Sequence, residues 1–219
     1  MSRPEATFFE QHSQPLEQRI ATGLYKIGLA LKHQAWRQAA EEGLSPTQGE
    51  ILAVLSTGGE MHTSQLARRL ALSTPTVSIS VRTLVEKNLV EKIADDSDAR
   101  TSLLRLTPEG RRNAVKALGW PEFLASAVGE MSQPEQEAFL LGLLKMIRAL
   151  QEKGQIPLTR MCVSCRYFRP NVHSGDKPHH CALVDAPMGP RHLRVDCPEH
   201  EVASDEQRAT AWARFTILR

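Results

Sequence analysis

The segment TSQLARRLALSTPTVSISVRTLVEK, residues 63–87, contains two stretches in which apolar residues recur at three- and four-residue spacing. This spacing predicts two short amphipathic helices, over residues 63–71 and 74–87, with a break at Leu72-Ser73 between them. Leu66, Ala67 and Leu70 share one face of the first helix, and the predicted buried positions of the second are Val77, Val81, Leu84 and Val85. Two short helices joined by a tight turn form a helix-turn-helix.

A β-hairpin is predicted directly after these helices. The runs LVEKIA (89–94) and SLLRLT (102–107) are rich in strand-forming residues and enclose the charged turn DDSDAR, residues 95–100. A hairpin in this position is the wing of a winged helix. Thr107-Pro108 then predicts the start of another helix, because a hydroxyl cap followed by proline is a common helix N-terminus.

Longer helices are predicted on both sides, over residues 16–43 and 133–152, and Ser45-Pro46 opens a further helix. The apolar stripe of the first consists of Leu16, Ile20, Leu24, Ile27, Leu31 and Ala35. A single stripe on a long helix needs a partner to cover it, so we expect a homodimer with twofold symmetry. The expected fold is mainly α with a small β-hairpin, an α+β fold, in which residues 1–152 hold the winged helix and the dimerisation helices.

The charge of the 219-residue chain is uneven. Its net value is only +2, but residues 64–116 carry ten Lys and Arg against six Asp and Glu, a local excess of +4. A phosphate-facing surface would lie in this middle segment.

The runs LARRLALSTPTVSISVRTLVEKNLVEK and DDSDARTSLLRLTPEG resemble the recognition helix, the Asp-x-Arg wing and the wing exit of the MarR family of bacterial regulators. The resemblance covers roughly residues 15–152. It implies a homodimer bound to a palindromic operator in double-stranded DNA, with two recognition helices in successive major grooves and wings at the flanking minor grooves.

Side chains near the start of a recognition helix come closest to the base edges, and Arg82 can pair bidentately with guanine or clamp a phosphate. In the wing, Arg100 can enter a narrow minor groove while Asp98 orients its guanidinium group. One position departs from the family, because Ile79 stands where a basic residue is usual. The candidate DNA-binding residues are Ser64, Gln65, Arg68, Ser73, Thr74, Thr76, Ser78, Arg82, Asp98 and Arg100.

All four cysteines lie in the last third of the chain, at Cys162, Cys165, Cys181 and Cys197. Their C-x2-C-x15-C-x15-C spacing in a loop-rich segment, residues 153–219, predicts a second domain stabilised by a bound metal. Four thiolates suit a [4Fe-4S] cluster or a zinc ion. Because the last two cysteines stand alone, and the stretch is similar to the ligand segment of high-potential iron-sulfur proteins, the cluster is favoured. Tyr167 and Phe168 are candidates to shield it, and His179, His180 and His200 are alternative zinc ligands.

The sequence therefore favours a DNA-binding transcription regulator that responds to redox state or metal through its cysteines. One alternative is a regulator of a small organic effector with a purely structural zinc site; another is an electron carrier or a protein-interaction adaptor. No phosphate loop, nucleophile elbow or HExxH motif indicates an enzyme. With no signal peptide and no long apolar run, we expect a cytoplasmic protein without a membrane partner.

Overall fold

The computed structural model describes residues 8–9, 13–95 and 101–217. The N-terminal part contains α1 (Leu16–Glu41), α2 (Pro46–Gly58), α3 (Thr63–Leu70), α4 (Thr74–Glu86), β1 (Val90–Ala94), β2 (Ser102–Leu106), α5 (Pro108–Leu118), α6 (Glu122–Gly129) and α7 (Gln133–Glu152). The C-terminal part contains β3 (Phe168–Arg169), β4 (His179–Cys181), β5 (Ala186–Met188) and α8 (Asp205–Thr216). The predicted class, mainly helical with a small antiparallel sheet, is confirmed.

The winged helix is built around one apolar core between α2, α3, α4, α5 and the hairpin. Its fully buried members include Ile51, Leu52 and Leu66. Capping fixes where the helices begin: Ser45 and Gln48 form a reciprocal capping box at α2, and Thr107 Oγ1 accepts the Gly110 N–H at α5. The local signals in the sequence and the long-range packing therefore agree over this segment.

The wing is an antiparallel pair in which Val90 lies opposite Leu106 and Ala94 opposite Ser102. A bridge between Met61 and Leu104 attaches its base to the turn before α3. Arg105 Nε also donates to Glu91 Oε1 across the pair, at 2.8 Å. The hairpin is thus held in a fixed position beside the helix-turn-helix.

One predicted core position is wrong. Val85 was expected to be buried, but 37% of its surface is exposed. It lies in the last turn of α4, where the buried line passes through Val77, Val81 and Leu84 and leaves Val85 at the edge.

The C-terminal part has a separate apolar core, formed with the help of α7. Leu144 of α7 is fully buried against residues that include Met161, Phe168 and Phe215. The small sheet has the order β3-β4-β5, with Phe168 opposite Cys181 and Cys181 opposite Ala186. We call residues 153–219 the cysteine module. The domain boundary at residue 152 stays a prediction. Helix α7, which lies before that boundary, contributes to the core of the module.

Within the described ranges, no helix is both long enough and apolar enough to cross a lipid bilayer.

Candidate nucleic-acid interface and cysteine site

The start of α4 is fixed by its own side chains. Ser73 Oγ accepts the Thr76 backbone N–H at 3.3 Å and lies 2.7 Å from Thr76 Oγ1. Pro75 lies in the first turn, which contains no acidic residue. The partial positive charge of the helix N-terminus is therefore not neutralised by a carboxylate of that turn, a favourable setting for a phosphate.

The outward face of α4 carries the predicted recognition residues. Burial of Val77, Val81 and Leu84 turns the opposite side of the helix to solvent. The five predicted recognition residues on α4 and at its cap are all exposed: Ser73, Thr74, Thr76, Ser78 and Arg82. The structure thus brings these five candidates to one surface; their contact with DNA stays a prediction.

Helix α3 adds a polar surface next to α4. Ser64, Gln65 and Arg68 are all exposed, as a DNA-facing role requires. Gln65 has a local task as well, since its Oε1 accepts the His62 N–H at 2.9 Å. Arg68 and Gln65 border one groove together with Glu60, so the basic charge here has an acidic neighbour.

The tip of the wing, with the candidates Asp98 and Arg100, lies outside the described residues. Its base is well defined, because His62 Nε2 lies 3.1 Å from Asp95 Oδ2 and His62 Nδ1 lies 3.2 Å from the Ser102 carbonyl oxygen. The hairpin therefore leaves the winged helix from an anchored base.

The four cysteines line a single cavity of about 230 Å³ in the cysteine module. Each cysteine is partly buried and none forms a disulfide. Predicted shielding residues Tyr167 and Phe168 line it too, with Met188 and Leu183 adding apolar surface. The structure thus gathers four cysteines that span 36 residues of sequence around one mainly apolar cavity.

Two sulfur atoms accept hydrogen bonds from Arg194. Its backbone N–H donates to Cys162 Sγ at 3.2 Å, and its Nη1 donates to Cys197 Sγ at 3.6 Å. Burial raises the pKa of the Cys162 thiol, the Arg194 N–H lowers it, and the other three cysteines raise it further. Arg194 was missed at the sequence level because nothing in its neighbourhood marks it as a sulfur partner.

The three histidines considered as zinc ligands do not border the cavity. His179 is buried between Phe168 and Phe215, where burial lowers its pKa. His180 Nε2 contacts Asp185 at 3.2 Å, and His200 Nε2 lies 3.0 Å from Ser164 Oγ. Each of the three therefore has a structural partner. Among the residues that the structure describes, no group of three or more His, Cys, Asp or Glu is arranged to hold a single metal ion.

The cysteine module contacts α7 through a buried arginine. The guanidinium of Arg148 lies 4.5 Å from the centre of the Trp212 ring, and its Nη2 donates to Glu152 Oε1 at 2.6 Å. The Arg148 side chain is only 10% exposed, and its Nε has no hydrogen-bond partner. Helix α7 and helix α8 are thus joined by the cation–π contact and the shared apolar core, while the ion pair with Glu152 lies within α7 and orients the arginine.

A helix-turn-helix with an exposed second helix and an anchored hairpin defines a winged-helix protein. Residues 42–101 match the sequence profile of the MarR family. Over this segment the chain is similar to the MarR family, whose members are transcription regulators.

Solved structures share this fold. Staphylococcus aureus MepR in its DNA-binding conformation is 24% identical with a TM-score of 0.54, and the match covers 60% of this chain and 98% of that one. The MepR–DNA complex is also 24% identical, with a TM-score of 0.53, and the match covers 59% of this chain and 97% of that one. A probable transcriptional regulator from Pseudomonas aeruginosa is 29% identical with a TM-score of 0.48, and the match covers 61% of this chain and 99% of that one. Comparison with curated proteins gave no match.

Proposed function

We propose that this chain is a homodimeric transcription regulator that binds a palindromic duplex operator through helix α4. The observation that carries the proposal is the outward face of α4, where hydroxyl side chains surround the helix start and Arg82 follows two turns later. An α-helix fits the major groove, and its N-terminal residues come nearest to the base edges. MepR, which has the same fold, has been solved in complex with DNA.

Homodimer formation is supported by uncovered apolar surface on α1. Leu16 is 60% exposed, Ile20 53% and Trp36 56%, and Ala39 is the one residue of this helix that is buried. Contiguous exposed apolar surface of this kind marks an interaction site. A second copy of the chain would cover it and, through a twofold axis, would set two α4 helices about one turn of DNA apart.

The test is duplex binding by the purified protein. A site is selected from a random duplex library, and affinity is then measured against salt concentration together with the oligomeric state. We expect a dimer whose affinity falls steeply with salt, and a loss of about 10-fold or more for Arg82→Ala. The matched control is Arg191→Ala, an exposed arginine of the cysteine module. A monomer that selects no duplex at low salt would overturn the proposal.

For the wing, we propose that Arg100 enters the minor groove and that Asp98 orients it by a charge-assisted pair. The anchored base of the hairpin supports this role, because it fixes where the turn leaves the domain. Arg100→Ala should weaken operator binding by several fold. Unchanged affinity would remove the wing from the contact surface while leaving the role of α4 intact.

We further propose that Cys162, Cys165, Cys181 and Cys197 hold a [4Fe-4S] cluster. In support, all four cysteines line one mainly apolar cavity of about 230 Å³, whereas the four ligands of a zinc ion converge on a single atom. Two sulfurs already accept N–H hydrogen bonds, which is how proteins tune cluster potentials. A bound cluster supplies one-electron redox chemistry. The four cysteines would hold it, Arg194 donates to two of the cysteine sulfurs, and Tyr167 and Phe168 would limit water access.

Anaerobic purification tests this assignment. We expect brown protein that contains about four iron atoms and about four sulfides per chain. Cys181→Ser should lose the iron and the sulfide. Ser56→Ala, an exposed change in the winged helix, is the control. A colourless protein with one zinc per chain would overturn the cluster and favour a structural metal. A cluster protein without duplex binding would instead favour an electron carrier or an adaptor.

Redox responsiveness is proposed to pass through α7. Arg148 and Leu144 of this helix pack on the cysteine module, while α7 also carries a second apolar stripe that is half-buried and includes Leu143 and Met146. A change in the packing of the module therefore acts on a helix that is also available for the dimer interface. The two arrangements need different DNA affinities for regulation to follow.

A second candidate is regulation by a small organic effector. A cavity of about 360 Å³ lies between α1, α2 and the end of α5, with Trp36 and Trp120 in its wall and Lys32 and Glu50 at its edge. Benzylamine and benzoate would probe the two charged groups. Binding that quenches tryptophan fluorescence and releases DNA, unaltered by Cys181→Ser, would support the effector; no response to either probe would argue against these ligand charges.

A further inference from the structure

Ile79 occupies the centre of the outward face of α4. Successive helical residues are rotated by about 100°, so the position two residues from both Val77 and Val81 lies directly opposite the buried side. The structure agrees, since 64% of the Ile79 side chain is exposed. It is the most exposed large apolar side chain of α4, well above Val85 at 37%.

The polar groups around Ile79 are partly occupied by local hydrogen bonds. Ser73 and Thr76 bond to each other at the cap, and Thr83 Oγ1 donates to the Ile79 carbonyl oxygen at 3.4 Å. Arg82 projects one turn further along the helix and is exposed. The middle of the recognition surface is therefore an apolar branched side chain with hydroxyls and a guanidinium at its margins.

In the major groove, the C5-methyl group of thymine is the apolar feature of the base edges; guanine, cytosine and adenine present hydrogen-bonding groups there. An isoleucine pressed against those polar groups would remove their water without replacing its hydrogen bonds. Against a thymine methyl, the same side chain buries apolar surface on both sides. Ile79 can therefore favour thymine in two ways: it contacts the thymine methyl group, and it desolvates the polar edges of other bases without forming hydrogen bonds to them.

We propose that Ile79 is a specificity-determining residue that recognises the thymine C5-methyl at one position of each operator half-site. This inference rests on the proposed function, that α4 binds duplex DNA. It predicts a thymine at the half-site position under the second turn of α4, beside the position that Arg82 reads or clamps.

The experiment removes the methyl group alone. In the selected operator, each dT is replaced in turn by deoxyuridine, which keeps the base-pairing edge and lacks the C5-methyl. For the wild-type protein, a dT→dU change in one half-site should weaken binding about 4-fold, and the symmetric change in both half-sites on the order of 10-fold or more, as expected for one lost methyl contact in each half-site. Ile79→Ala should bind the dT operator more weakly by a similar factor and should be indifferent to dU at that position.

Val115→Ala is the matched control, because Val115 is also an exposed aliphatic side chain, at 68%, but lies on α5. It should retain the wild-type sensitivity to dU, and all three proteins should melt at the same temperature. Tight, salt-sensitive binding with no effect of any dU would overturn the role of Ile79 and leave the proposed function standing. A dU effect that persists in Ile79→Ala would assign the methyl contact to another residue. Failure to select any duplex would contradict the proposed function itself.

Discussion

The winged helix and the cysteine module are stabilised by different means. In the described part of the chain, the core of the winged helix contains eighteen buried apolar residues, whereas the core shared by the module and α7 contains six. The module compensates with short paired strands, the Arg160–Asp196 ion pair and the clustered cysteines. Small units with little apolar core usually depend on a metal or on covalent links. The comparison therefore indicates one region that folds by burial, and it is consistent with the proposal that the thiols of the other bind a stabilising metal or cluster.

The largest effect is expected when the winged helix alone is destabilised and the cysteine module is left unchanged. A Cβ at Gly110 would lie 1.8 Å from the Leu89 carbonyl oxygen, a backbone atom that cannot move away cheaply. Gly110→Ala should therefore destabilise the winged helix by about 4 kcal/mol or more in chemical denaturation. Gly142→Ala in α7, where a Cβ meets nothing within 4 Å, should be neutral or stabilising by up to about 1 kcal/mol. If Gly110→Ala also removed the visible absorbance of the module, the two regions would form one cooperative unit.

Damage to the smaller core provides the reverse case. Leu144→Ala empties a fully buried position between α7 and the module and should cost about 3 kcal/mol. The loss should appear as faster release of the bound metal or cluster, with the winged helix still folded by circular dichroism. Val172→Ala, at a 43% exposed site in the module, should change neither property. Equal behaviour of the two variants would mean that α7 does not support the module.

The link between the regions can be tested at Arg148. Glu152 is 57% exposed and stays solvated without its partner, and methionine keeps the apolar stem of the arginine, so Arg148→Met should fold. It should, however, lose the contact that joins α7 to Trp212. The expected result is that a difference of about 5-fold or more in operator affinity between the oxidised and reduced wild-type protein disappears in the variant. Arg112→Met, at an exposed arginine on α5, is the control and should keep the difference.

The smallest expected effect concerns the recognition helix. Ser73→Ala removes the side chain that caps α4 and should reduce the free energy of unfolding of the winged helix by about 1 kcal/mol. Ser78→Ala, on the same helix and exposed, should change it by less than about 0.5 kcal/mol. Thermal unfolding of both variants is the measurement. Equal melting temperatures would show that the cap does not contribute to stability here.

The winged helix was predictable because its local signals and its packing agree. The predicted strands 89–94 and 102–107 match β1 and β2 to within a residue at each end, and Ser45-Pro46 does begin a helix. Positions such as Ile51 and Leu66 repeat at helical spacing on one face and are buried on that face. Here the periodicity of the sequence is enough to fix both element type and core side.

The cysteine module was not predictable in the same detail. Its strands are two or three residues long, too short for a periodic pattern, and their pairing depends on contacts across the module. Helix α8 has few apolar residues and was missed, although Ser204 and Gln207 form a capping box that could have indicated its start. On α7, Leu144 and Arg148 are buried against the module, whereas Leu143 and Met146 on another side of the helix are half-buried. The four cysteines do line one cavity, and their role as ligands stays a prediction; the sulfur partner Arg194 was not foreseen.

The position of Arg194 has a consequence for how the site can vary. One residue donates to the first and the last cysteine of a ligand set that spans most of the module, through its backbone at one sulfur and its side chain at the other. Exchanging its guanidinium for a neutral group would remove positive charge next to Cys197 without touching any ligand and without losing the backbone bond to Cys162. In the proposed cluster site, such a substitution would shift the electron affinity of the bound cluster by a graded amount while every cysteine is retained.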